Sequence, residues 1–193
     1  NTIKTIENFY PCGLDVNKEA MILIEVDGFL SSMKQQIYLV TEALKDAGAG
    51  NIDVAEDEET KNKIWTSRRS SFASTAQLAP DVISDDIIVP REKLGVMVTK
   101  TKKICDKYNL QVCIVGHVGD GNIHPQIAVD LDDEDAVKRC KKAKEEIYDM
   151  AVSLGGTISA EHGVGIEKMS YLNKIIDKTG LIDFSEINLH LRR

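Results

Sequence analysis

The sequence predicts an α+β fold: a ferredoxin-like antiparallel sheet with helices packed on one face. Three observations point to it. From residue 87 to residue 160, β-rich runs and amphipathic stretches alternate in the order strand-helix-strand-strand-helix-strand. An Asp120-Gly121 pair sits between the two middle runs, where a hairpin needs its turn. Finally, 193 residues with 42% hydrophobic and 28% charged side chains form an ordinary globular composition. A chain of that length buries roughly 70% of its unfolded surface. With no repeat, low-complexity tract or Pro/Gly/Ser-rich linker, residues 1–193 read as a single domain.

Residues 20–26 read as a buried strand. Ser31 or Ser32 then caps a helix with the apolar stripe Met33, Ile37, Val40 and Leu44, ended by Gly48. Residues 52–55 form a short strand, and Asp57 caps a helix carrying Ile64, Trp65, Arg68 and Phe72. Residues 73–85 carry mixed signals and read as loop. A strand follows at 87–89, and Pro90 starts a helix with Leu94, Met97, Val98, Thr101, Ile104 and Cys105 on one side. Strands at 112–115 and 123–129 flank the Asp-Gly turn. Asp132 or Asp133 opens a long helix facing inward through Val137, Cys140, Ile147, Ala151 and Leu154, stopped by Gly155-Gly156. A last strand at 157–160 leads to a helix with Met169, Leu172 and Ile176.

Charge and cysteine usage exclude several classes. The net charge of −7 argues against nucleic acid as the main partner, because neutralising phosphates needs clustered Lys and Arg. The longest apolar run, residues 20–24, falls far short of the ~20 residues that cross a bilayer. No transmembrane segment is expected. Cys12, Cys105, Cys113 and Cys140 are scattered without a CxxC pair, the usage of free thiols in a cytoplasmic protein, with membrane association only through partners. The chain opens on Asn1-Thr2-Ile3-Lys4, and Asp183-Phe184-Ser185-Glu186 resembles the start of a helix that the sequence does not finish. We expect a piece of a longer polypeptide.

Three of the four histidines lie in two glycine-rich stretches, Gly116-His117-Val118-Gly119-Asp120-Gly121-Asn122-Ile123-His124 and Glu161-His162-Gly163-Val164-Gly165. A two-residue Asp120-Gly121 turn sets His117 directly opposite His124, on one face, with Cβ atoms ~4.5–5.5 Å apart. Two such imidazoles can close on one metal at ~2.0–2.1 Å from each nitrogen. The second stretch adds a carboxylate and a third imidazole. Two histidines and one carboxylate leave coordination positions open, as catalytic sites do.

These stretches resemble the signatures of the FAD-linked oxidases of 2-hydroxy acids, in the vanillyl-alcohol oxidase superfamily, of the glycolate oxidase D-subunit and D-lactate dehydrogenase type. Further likenesses are Glu25-Val26-Asp27-Gly28, Trp65-Thr66-Ser67-Arg68, Ala79-Pro80-Asp81 and Asp86-Ile87-Ile88-Val89-Pro90-Arg91. The resemblance implies a C-terminal substrate and cap domain, without the preceding FAD-binding domain or the closing Asn-Pro-Gly segment. It implies His117, His124 and Glu161 as ligands of a divalent metal (zinc, iron or manganese) and His162 as the base. It also makes Arg68 the clamp for the substrate carboxylate, since a guanidinium fork matches a carboxylate bidentately. Asn122 would orient substrate or ligands, and Asp120 would serve the turn. Phe72 and Ser84, where relatives acting on dicarboxylates place polar groups, favour a small monocarboxylate. The implied partners are a 2-hydroxy acid, the FAD-binding domain, and other oxidase subunits or an electron-transfer partner. Two rival readings use the same residues: a metal-dependent hydrolase and a metal-binding module without chemistry. On the first reading this piece folds but neither retains FAD nor turns over alone, because hydride transfer needs the flavin.

Overall fold

Regular β-structure begins only at residue 81. The computed structural model describes residues 2–176, so the helix start expected at Asp183 lies outside the described residues. Four helices come first: α1 (Thr2–Phe9), α2 (Leu30–Asp46), α3 (Glu58–Arg69) and α4 (Ser71–Thr75). Then follow β1 (Asp81–Ser84), β2 (Ile87–Ile88), α5 (Leu94–Lys107), β3 (Gln111–His117), β4 (Asn122–Val129), α6 (Glu134–Ser153) and α7 (Gly165–Lys168). The fold is α+β, and every pairing in its four-stranded sheet is antiparallel.

Strand β4 is the centre, buried along its whole length. β3 pairs along one edge, and β1 and β2 share the other, β1 against Gln126–Val129 and β2 against Asn122 and Ile123. Alternation then divides β4 into two faces. Ile123, Ile127 and Val129 enter the main core with Met97 and Ile104 of α5 and Cys140, Ile147 and Tyr148 of α6. Each such aliphatic side chain contributes roughly 1.5–3 kcal/mol of burial. Asn122, His124 and Gln126 face the other way, where α4 and α1 lie; Thr75 of α4 donates its hydroxyl hydrogen to Gln126 Oε1 at 3.0 Å. Helices α5 and α6 thus share one face as expected, and short α1 and α4 cover part of the opposite one.

Several local signals do what their chemistry demands. Asp57 accepts the Thr60 N–H at 2.7 Å and caps α3. Asp133 accepts from Asp135 and Ala136 and caps α6, which ends where Gly155 turns to φ +84°. All four cysteines are buried free thiols.

Other expectations are corrected. Residues 20–26 form no strand; Met21, Ile22 and Ile24 are exposed. Both edges of central β4 are taken, and on the outer edge of β3 the Ile114 N–H donates to the Thr2 hydroxyl of α1 at 2.9 Å. Residues 52–55 are likewise irregular. The stripe of α2 is only half-buried, and its cap position is Phe29 rather than a serine. The helix after Asp57 breaks at Ser70, leaving Phe72 exposed in α4. Residues 81–84, read as loop, are β1. The last strand shrinks to one bridge between Ile88 and Thr157, because the next amides bond to a side chain instead of a neighbouring strand. After α7 the chain continues as a 3₁₀ helix, Met169–Lys174, which buries Tyr171 rather than Met169.

Candidate metal centre

The β3–β4 hairpin carries two of the three clustered histidines. Its connection is four residues long, not two: His117 accepts the Asp120 N–H and Val118 accepts the Gly121 N–H. Gly121 is drawn toward β2, where its carbonyl accepts the Val89 N–H at 3.0 Å. At φ +75°, with room for a Cβ only 2.0 Å from the Val89 oxygen, no other residue fits there. The register is therefore displaced by two residues, so that His117 opposes Asn122 and His124 opposes Val115. A displacement by two keeps each side chain on its face. His117 and His124 become diagonal neighbours, with rings edge to face and centroids 5.4 Å apart.

The turn after Thr157 brings Glu161 and His162 to the same place. Glu161 Oε1 lies 3.1 Å from His124 Nε2, 3.5 Å from His117 Nε2 and 3.9 Å from His162 Nε2. His162 stacks on His124, with ring centroids 5.0 Å apart and planes 17° from parallel. The ligand atoms of His117, His124 and Glu161 all lie within 4.8 Å of one another. Ligands ~2.1 Å from one ion sit ~3.0–3.4 Å apart in octahedral or tetrahedral geometry, so this donor set fits a divalent cation. Glu161 is its hard anionic member, and histidine suits zinc, iron or manganese.

Burial divides the cluster. The His124 side chain is 8% exposed, whereas those of His117, Glu161 and His162 are about half exposed. Burial lowers the His124 pKa, partly opposed by the Asp85 carbonyl and the Asp86 carboxylate. His124 Nδ1 lies 3.3 Å from the Asp85 carbonyl oxygen. A carbonyl can only accept, so Nδ1 carries the hydrogen and Nε2 is the free lone pair facing Glu161.

Of the other sequence candidates, Asn122 is buried beside the histidines, with no hydrogen-bond partner for its Oδ1 among the described residues. Arg68 occupies the last turn of α3, half-buried, and its guanidinium makes no ion pair among the described residues. Among the described residues no hydrogen bond or ion pair joins it to the histidines.

Sequence reasoning missed Asp85 and Asp86, which join β1 to β2. Asp86 is fully buried, and its Oδ2 accepts the N–H groups of Ala160 (2.7 Å), Glu161 (2.9 Å) and His162 (2.9 Å) and the Ser159 hydroxyl (3.1 Å). Burial pushes its pKa up, but these donors and nearby His162 outweigh it and bring the carboxyl down to about 2. Asp85 faces the other way. It pairs with Lys168 Nζ at 2.8 Å, accepts from the Tyr148 hydroxyl at 2.5 Å and has Lys144 Nζ at 3.5 Å. Burial, with Asp85 beside it, raises the Tyr148 phenol well above its usual range. Asp86 opens one of the stretches that resemble the family, but two adjacent acids before an apolar strand carry no assigned role, and most such pairs are solvated.

Residues 1–190 match the family described as FAD linked oxidases, C-terminal domain. The chain belongs to that family. It is 35% identical over 180 residues to the glycolate oxidase subunit GlcD of Bacillus subtilis (strain 168), covering 93% of this chain and 38% of the relative. The GlcD of Escherichia coli (strain K12) is 32% identical over 171 residues, covering 89% and 34%. A probable mitochondrial D-lactate dehydrogenase of Danio rerio is 33% identical over 155 residues, covering 79% and 31%. The chain spans about a third of the length of these curated relatives. No helix among the described residues is long and apolar enough to cross a membrane.

Proposed function

We propose that this chain is the substrate- and metal-binding part of a cytoplasmic flavin-dependent oxidoreductase. Its reaction is oxidation of a small 2-hydroxy acid, of the glycolate or D-lactate type, to the 2-oxo acid. The observation that carries the reading is the convergence of His117, His124 and Glu161 beside His162. Family membership and the names of the relatives support the flavin and the substrate class. FAD is held mainly by a domain outside this chain, and further oxidase subunits or an electron-transfer partner take the electrons onward.

His117 Nε2, His124 Nε2 and the Glu161 carboxylate hold the divalent ion. The bound ion would supply positive charge that stabilises a developing alkoxide, and a flavin would supply the two-electron acceptor. His162 takes the hydroxyl proton at Nε2; its side chain is half exposed and open to an incoming substrate, and a positioned imidazole is the commonest general base. Burial favours the neutral form of His124, the form a ligand needs. Asn122 orients the substrate or the ligands. Arg68 clamps the substrate carboxylate, which places the end of α3 at the substrate when the whole protein is assembled.

The test is turnover of the intact protein on a panel of D- and L-2-hydroxy acids with a dye acceptor. Oxidation of a small 2-hydroxy acid is expected, and its loss in H124A and E161A along with bound metal. Metal-dependent hydrolysis that needs no acceptor would replace this reading with the hydrolase.

A further inference from the structure

We propose that Asp86 is the positioning residue of this centre, a single buried carboxylate that sets Glu161, His162 and His124 relative to one another. The inference rests on the reading of His117, His124 and Glu161 as ligands of a divalent ion. Its observations are separate from that reading. Oδ2 gathers three consecutive N–H groups, those of Ala160, Glu161 and His162, together with the Ser159 hydroxyl. The backbone that presents one ligand and the base is thereby tied to the segment between β1 and β2, where an edge strand would otherwise continue. Oδ1 is buried with no hydrogen-bond partner among the described residues, and it lies 3.8 Å from His124 Nδ1.

That arrangement has a chemical direction. His124 Nδ1 faces two acceptors, the Asp85 carbonyl oxygen at 3.3 Å and Asp86 Oδ1 at 3.8 Å, and both favour a hydrogen on that nitrogen. The ring is thus held with Nε2 toward Glu161, and the negative charge behind it makes Nε2 a better donor to a cation. One oxygen sets the loop and the other faces the ring. Asp86 touches no reacting atom in this scheme and acts through the ligands.

The test is Co²⁺ binding to the intact protein, read as the dissociation constant and the visible d–d spectrum, neither of which needs turnover. D86A should weaken Co²⁺ binding by about 10–100-fold, the usual cost of losing a partner behind a metal ligand, and change the spectrum. D86N retains one acceptor oxygen for the N–H groups but loses the charge behind His124, so it should fall between D86A and wild type. A core variant remote from the site, I147A, should lower stability yet leave the Co²⁺ constant and spectrum of the folded protein unchanged. Wild-type Co²⁺ constants and spectra in folded D86A and D86N would overturn the proposal while leaving the metal reading intact. If D86A does not fold, D86N decides: a change under about twofold with an unaltered spectrum overturns it. A wild-type protein without a Co²⁺ spectrum would sink the metal reading and this one together.

Discussion

Two carboxylates far apart in the sequence, Glu7 and Asp86, perform the same local task. Glu7, at the end of α1, accepts the N–H groups of Cys12 (2.9 Å), Gly13 (3.0 Å) and Leu14 (3.0 Å). Asp86 accepts those of Ala160, Glu161 and His162. Each fixes a turn whose amides have no strand or helix to join. They differ in what else the carboxylate does. Glu7 spreads its bonds over both oxygens in a half-exposed setting, and its turn presents nothing reactive. Asp86 gathers them on one oxygen, is sealed from water, and leaves the other facing an imidazole. Collecting N–H groups is therefore a general way to hold a turn. Burial and the division between two oxygens make one instance serve a site.

The largest expected effect comes from altering what each turn presents. H162A should lower kcat by about 10²–10⁴-fold, the usual contribution of a general base, while bound metal stays at the wild-type level. L14A, in the turn held by Glu7, should leave kcat unchanged. Loss of metal in H162A would make His162 a ligand and redraw the roles. The next effect lies on the other side of the same dipeptide. K168M removes the closest cation from buried Asp85, and with it bonds to the carbonyls of Asp86 and Ile158. Leaving a buried charge short of its partner costs about 3 kcal/mol, measured as a lower midpoint in urea. A loss below about 1 kcal/mol would mean that Lys144 and the Tyr148 hydroxyl compensate Asp85 fully. Y148F, which removes one hydrogen bond to that charge, should cost about 1.5–3 kcal/mol by the same measurement.

Much of the histidine cluster was legible because it depended on parity. The Asp120-Gly121 turn predicted the wrong register, yet the error was two residues, and side chains repeat on a face every two. His117 and His124 therefore stayed together. The caps at Asp57 and Asp133 and the stop at Gly155 were legible because each acts within a few residues. Residues 20–26 misled because an apolar run states a preference for burial without saying whether a strand edge is free. Asp85 and Lys168 were illegible for a related reason. Each reads as a solvated charge until an element 83 residues away in sequence arrives opposite it, and no periodicity marks that event.

The smallest expected effect separates the two carboxylates by acid. Three backbone N–H groups lower the Glu7 pKa from its ordinary 4.5, with Leu14 the strongest. Asp86, despite its burial, is held at about 2 against an ordinary 3.8. In both the folded-state pKa is depressed, so the stability each contributes is complete above its unfolded value and is lost as pH falls through the folded one. For Asp86 that window runs from 3.8 down to about 2; for Glu7 it opens below 4.5. E7Q should accordingly lower Tm by only about 1–3 °C at pH 7, because its bonds compete with water and the glutamine retains an acceptor. The gap to wild type should narrow as pH drops below 4.5, since protonating Glu7 removes the charge that the glutamine already lacks. The gap between D86N and wild type should persist to lower pH and close only toward about 2. Thermal melts of the three proteins from pH 2 to 7 measure both gaps. If the D86N gap closes first, the buried carboxylate is held no more firmly than the exposed one, and the contrast between the two turns fails.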